Sequence, residues 1–188
     1  MLFRSNILGE SGKTDLKESD YENFDIFLAG KHVFIGYENL TAWFRYFAPN
    51  LFVDKLKLTP SESLIRRNTK AYIAMIEKFP VDVVTHVNYV CPCDALEVAK
   101  CAADYGTYIE INTKKTHLSD EKWQEIIDKT EARFLIDSDA HTSDRVGDTR
   151  LADELFSRVK FPTDRIDNID GRTANFRFRE YKKTHAMR

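Results

Sequence analysis

Residues 133–144 read RFLIDSDAHTSD, an apolar run that turns abruptly into ligand chemistry. Phe134, Leu135 and Ile136 have the character of a short buried strand, and Asp137, Asp139 and His141 follow at every second position. In extended backbone, residues two apart point to the same side. The stretch therefore predicts a strand that enters a core and aims ligand-type side chains at one spot beyond its end.

The same pattern recurs outward from it. FDIFLAGKH (24–32), VDVVTHVN (81–88) and TYIEINTK (107–114) each read as an apolar strand closing on a polar residue. Between them lie helical patterns: 60–79, with Pro60 in the first turn; 94–106, with Asp94 as N-cap and Gly106 as the stop; 119–131, capped by Ser119; and 148–160. Pro162 and a tail of alternating apolar and basic residues close the chain. Strands alternating with helices at this spacing imply βαβ units and a parallel sheet, so the fold class is α/β. Residues 33–59, rich in aromatics from Phe34 to Phe52, fit no strand or single helix and are expected to form a helix-containing insertion.

With 188 residues the chain suffices for one sizeable core, and we read 1–188 as a single domain. A hydrophobic content of 43% and a charged content of 31% are those of an ordinary globular protein, and a net charge of −2 offers no basic field for nucleic acid or anionic membrane. No apolar run approaches a membrane span and no secretory signal opens the chain, which makes a cytoplasmic protein the expectation. Cys91, Cys93 and Cys101 are odd in number and lack metal-site spacing, so a packing role is expected for them.

Polar residues gather where strands end: His32, His86, Asn112, and the pair Asp139 and His141. In parallel α/β folds that edge carries the active site. A single strand-end histidine is more often structural than functional. His117, after two lysines, and His185, in the basic tail, read as solvated, and Asp137 as a turn residue. His32, His86, Asp139 and His141 together are a donor set suited to zinc, manganese or iron, which activate water and neutralise charge on a phosphoryl or carbonyl group. On spacing alone a metal hydrolase and an unrelated α/β fold stay equally open.

SDAH (138–141), the histidine after VDVVT and EINT (110–113) together resemble the later motifs of the PHP (polymerase and histidinol phosphatase) phosphoesterases, and FPTDRIDNIDGR (161–172) resembles the ending of the stand-alone bacterial type. The similarity runs from about Asn6 to Asn175, poorly over 33–70. It implies a distorted (β/α)7 TIM-like barrel, here partial and missing its first strands, with two or three divalent ions (Zn, Mn or Fe) at the strand ends. On that resemblance His32 and His86 would ligate one ion, Asp139 a neighbour, and His141 a second or third. Asn112 would support the site and substrate by hydrogen bonding. Asp139 and His141 would be catalytic through a metal-activated water, and the partner would be a small phosphomonoester of the histidinol-phosphate kind.

Three departures bear on this expectation. No histidine precedes His32, where the family opens with His-x-His; Arg4 stands where a metal-bridging glutamate is expected; and Val87 follows His86 in place of proline. Met-Leu-Phe-Arg-Ser is also what GTG-CTC-TTC-CGA-TCT encodes, a string that matches a sequencing adapter, so residues 1–5 are expected to be non-native. Two alternatives accompany the phosphoesterase reading: a non-catalytic scaffold without a complete metal site and, more weakly, an amidohydrolase-type metal hydrolase.

Overall fold

Among the described residues, five short parallel strands are laid down in the order in which they occur in the sequence: β1 (Leu2–Asn6), β2 (Ile26–Gly30), β3 (Val83–Val84), β4 (Tyr108–Asn112) and β5 (Phe134–Asp137). The structure is a computed structural model that describes residues 2–32 and 36–185. Met1, and Phe34 of the expected insertion, lie outside the described residues. Sequential order matters, because right-handed crossovers between successive neighbours place every connecting helix on one face of the sheet. That face carries the main core, with Phe27, Ala29, Val84, Ile109, Ile111 and Phe134 packed beneath the helices. The opposite face carries Leu28, Val83, Tyr108 and Leu135, against which Ala174 and Phe176 of the carboxyl-terminal segment pack.

The helices follow their caps. α1 (Leu40–Ala42), a π-helical turn (Trp43–Phe47) and α2 (Ala48–Leu56) run together through the region expected to be an insertion. α3 (Glu62–Lys78) starts at Ser61, whose hydroxyl accepts from Leu64 N–H at 3.3 Å. α4 (Ala95–Tyr105) is capped by Asp94, which accepts from Leu96 and Glu97, and stops at Gly106 with φ +65°. α5 (Asp120–Lys129) is capped by Ser119, α6 spans Arg150–Arg158, and α7 is Arg177–His185. Each cap satisfies backbone donors that a helix start leaves unpaired.

Two expectations need correction, and two elements go beyond them. Residues 2–6, assigned to no strand by the sequence pattern, pair with β2 from Leu2↔Ile26 to Asn6↔Gly30. VDVVTHVN is strand only at Val83–Val84, because His86, Asn88 and Val90 take positive φ (34°, 71° and 46°) and turn the chain away. Positive φ is rare for a β-branched residue and marks strain concentrated beside the site. The basic tail, given no element by the sequence pattern, forms α7, anchored by the fully buried Phe178. Beyond β5 the every-second-residue geometry fails, since the strand ends at Asp137 and Asp139 has φ +43° with its N–H on Asp137 Oδ1.

The sheet is strongly curled. Five strands at about 4.8 Å spacing would put the edge strands some 19 Å apart if flat. Yet Arg4 of β1 reaches Asp139, just past β5, with a hydrogen bond of 2.6 Å. An α/β wall with helices outside and its concave face inside is the result, consistent with a segment of a barrel.

Candidate active site

The concave face dictates which strand residues meet. Arg4 pairs in register with Leu28, Leu28 with Val83 and Val83 with Tyr108. These residues share the concave face, and stepping by two along each strand adds Asn6 from β1 and Glu110 and Asn112 from β4. At the carboxyl edge of this face lies a cleft of about 130 Å³ whose walls include Arg4, His32, His86, Lys114, His117 and Asp139. The sequence-derived residues His32, His86, Asp139 and His141 all line it, and Asn112 sits at its base, donating to Glu110 (3.2 Å) and Asp139 (3.4 Å).

Histidines 32 and 86 form a pair. Their Nε2 atoms lie 2.9 Å apart, with rings nearly perpendicular. His32 Nδ1 is 2.6 Å from Asn6 Oδ1, an acceptor, so the hydrogen-bond network assigns the His32 proton to Nδ1 and leaves Nε2 as a lone pair. His86 Nε2–H then donates to it, and His86 Nδ1 is a buried lone pair with no hydrogen-bond partner among the described residues. Burial first, then the neighbouring His32 and Arg4, lower the His86 pKa to about 2; burial and Arg4 lower that of His32 to about 4. Both imidazoles are neutral at physiological pH. Close approach of β2 makes the pair possible: Gly30 has no side chain, and a Cβ there would stand 2.9 Å from His86 Cε1.

Two residues that the sequence did not single out belong to the site. His117 is half-buried rather than solvated, with its ring 5.9 Å from that of His86, and burial lowers its pKa to about 4. Glu110 lies under the cleft, 2% exposed, with Oε2 accepting the backbone N–H of His86 and Oε1 lacking a hydrogen bond. Burial, with the charge of Asp137, raises its pKa to about 8. The signal was present as a carboxylate two residues before Asn112 in an otherwise apolar parallel strand, where an acidic residue needs a reason to be.

Asp139 and His141 are held differently. Burial acts to raise the Asp139 pKa, but Arg4, Asn112 and Lys114 outweigh it and keep the carboxyl below its ordinary range. His141 stands exposed at the cleft mouth, its Nδ1 2.9 Å from Lys114 Nζ and 3.8 Å from Asp139 Oδ1. With the buried histidines neutral, the cleft walls present the cations Arg4, Lys114 and Lys115 against the single carboxylate Asp139. Such a surplus suits an anionic group of phosphate size.

A metal centre, by contrast, does not fit the arrangement. Among the described residues no group of three His, Cys, Asp or Glu side chains is disposed to hold an ion. Arg4 Nη1 occupies Asp139 at 2.6 Å while its Nη2 faces Glu110 Oε1 at 3.7 Å, so a guanidinium lies where a divalent cation would need to be. The three cysteines are free thiols packed in the core, Cys91 against the Tyr46 hydroxyl at 3.5 Å. No helix of the described residues is long and apolar enough to cross a membrane.

No family model matches the chain. It is similar to curated proteins that bear the name "Probable phosphatase". It is 30% identical over 172 residues to one from Caldanaerobacter subterraneus subsp. tengcongensis, covering 87% of this chain and 59% of that protein. It is 29% identical over 174 residues to one from Thermoanaerobacter sp., covering 88% and 61%, and 28% identical over 174 residues to YcdX of Escherichia fergusonii, again covering 88% and 61%. The chain thus spans about 60% of the length of the curated relatives it matches.

Proposed function

We propose that the chain carries a major part of a phosphatase that recognises and hydrolyses a small phosphate monoester at the carboxyl edge of its sheet. The observation that supports this most is the cleft itself, with three cations against one carboxylate beside neutral imidazoles, in a chain similar to proteins named as phosphatases. Lys114 and Lys115 would meet the phosphate oxygens. His32 Nε2, oriented through Asn6, would accept a proton from an attacking water once it gives up the hydrogen bond it takes from His86. The finer assignment, a metal-dependent phosphoesterase of the PHP type acting on a histidinol-phosphate-like substrate, is supported by the SDAH and EINT resemblance. That chemistry would require Arg4 to leave its carboxylates, and we route no step through a metal.

Turnover of 4-nitrophenyl phosphate and calorimetric binding of inorganic phosphate by the purified chain test the proposal. Hydrolysis is expected to disappear in His32→Ala, and phosphate affinity to fall about tenfold in Lys114→Ala, the usual scale for one charge-assisted hydrogen bond. A chain that neither binds phosphate nor releases nitrophenol removes this reading. Phosphate binding without turnover favours a second reading, a non-catalytic scaffold, for which the Arg4–Asp139 bond is the specific observation.

A further inference from the structure

We propose that Arg4 is a built-in cation of the cleft, standing in for a divalent metal ion between Asp139 and Glu110 and keeping such ions out. The residues around it form an acceptor-rich nest. Asp139 Oδ1 takes a hydrogen bond from Nη1 at 2.6 Å, and the fully buried Glu110 side chain faces Nη2 at 3.7 Å, with Oε1 lacking a hydrogen bond. The Nδ1 lone pair of the 3% exposed His86 also has no partner among the described residues. The buried Glu110 side chain with an unmet acceptor calls for positive charge, and the guanidinium facing it at 3.7 Å supplies it.

Arg4 is placed there by the fold rather than by side-chain wandering. It is on an edge strand in register with Leu28, and only the curl of the sheet brings it across to the loop after β5. Its side chain is 24% exposed and that of Asp139 14%, so solvent screens the pair only in part. Lys114 reinforces the same design at the mouth, with Nζ 3.9 Å from Asp139 Oδ2 and 2.9 Å from His141 Nδ1. An incoming divalent ion would find Asp139 and the Glu110 side chain already facing a cation and would itself be repelled at contact distance. Removing the guanidinium leaves Asp139 and Glu110 facing the space it filled, oxygen donors of the kind zinc and manganese accept. Replacing it with a carboxylate adds one more donor.

This inference does not depend on the phosphatase reading, and its test uses the metal alone. Zinc binding by calorimetry and manganese binding by electron paramagnetic resonance would be measured on the wild-type chain and on Arg4→Lys, Arg4→Gln and Arg4→Glu, with circular dichroism melts to confirm folding. Arg4→Glu and Arg4→Gln are expected to bind zinc at least 100-fold more tightly than the wild type, and Arg4→Lys to behave like the wild type. Wild-type chain that already binds either ion as tightly as Arg4→Glu overturns the proposal. So do folded Glu and Gln variants with no gain. If the Glu variant does not fold, the Gln variant decides, since it removes the charge and nearly preserves the length.

Discussion

Gly30 shows how little space separates the site from the sheet. A Cβ at this position would lie 2.3 Å from Thr85 Oγ1, 2.9 Å from His86 Cε1 and 3.0 Å from the Thr85 carbonyl. The carbonyl belongs to backbone and does not rotate away, so Gly30→Ala should push β3 and His86 outward. Overpacking of this kind costs about 1–3 kcal/mol. We expect a lower urea midpoint together with loss of His32–His86 pairing, read as slower turnover of 4-nitrophenyl phosphate; an alanine variant with wild-type turnover would show that the pair tolerates displacement. At this scale the sequence was informative about residue type and silent about pairing. His32, His86, Asp139 and His141 were legible because each follows an apolar strand. His117 was not, since only the turn after β4 brings its ring beside that of His86. The role of Arg4 was hidden as well, because its partner is 135 residues away and is reached only through the curl of the sheet.

Asp82 illustrates what joins the elements. Its Oδ2 accepts from Phe27 N–H of β2 at 2.8 Å, and its Oδ1 accepts from Phe178 N–H of α7 at 2.9 Å. One buried carboxylate therefore ties the last helix to the second strand. Burial raises its pKa from 3.8 to about 6 despite those hydrogen bonds and the nearby Arg177. Because the folded value lies above the unfolded one, its contribution is fully present below about pH 3.8 and is lost as pH rises through about 6. Two pKa units correspond to on the order of 3 kcal/mol. Asp82→Asn cannot titrate and keeps one good acceptor. The stability gap between wild type and this variant, from urea unfolding, should be largest near pH 4 and shrink towards pH 7; a gap constant across that range would sink the assignment. Asp82→Ala should cost about 2–4 kcal/mol near pH 4, since two buried N–H groups lose their acceptor, and less towards pH 7, where the wild-type carboxylate has lost its own advantage. Helices α4 and α5 were legible from Asp94 and Ser119, because capping is local chemistry, whereas α3 was read from Pro60, which stands ahead of the Ser61 cap and outside the helix. β1 and α7 were not, as both are defined by what they pack against: β1 by pairing along β2, and α7 by burial of Phe178 and the bond to Asp82.

At the scale of the whole molecule, the α/β class and parallel sheet follow from strand and helix alternation, whereas the curl does not, because it is a property of five strands acting together. The helical region before α3 sets a second question of the same scale. Leu40, Phe44, Phe52 and Leu56 are 66, 61, 57 and 62% exposed, and they follow one another at helical intervals along α1, the π-turn and α2. Taking these four side chains together gives an apolar patch of roughly 400–500 Å², at the upper end of what a monomer surface carries. Its inner face is well anchored: Tyr46 is fully buried, and Asn50 and Asn68 exchange hydrogen bonds of 2.9 and 2.8 Å between α2 and α3. The two faces should therefore respond separately to substitution. Replacing Phe44 and Phe52 by lysine removes exposed apolar surface and should shift stability by no more than about 0.5 kcal/mol, as for surface changes in general. The same double variant should aggregate more slowly at high protein concentration by light scattering, with its thermal midpoint nearly unchanged. A large drop in the midpoint would mean that these rings hold the helices in place, and an unaltered aggregation rate would mean that association begins elsewhere. Asn68→Ala acts on the opposite face. It leaves Asn50 and the Pro92 carbonyl without their buried partner and should lower stability by about 1–3 kcal/mol while leaving the aggregation-prone patch intact.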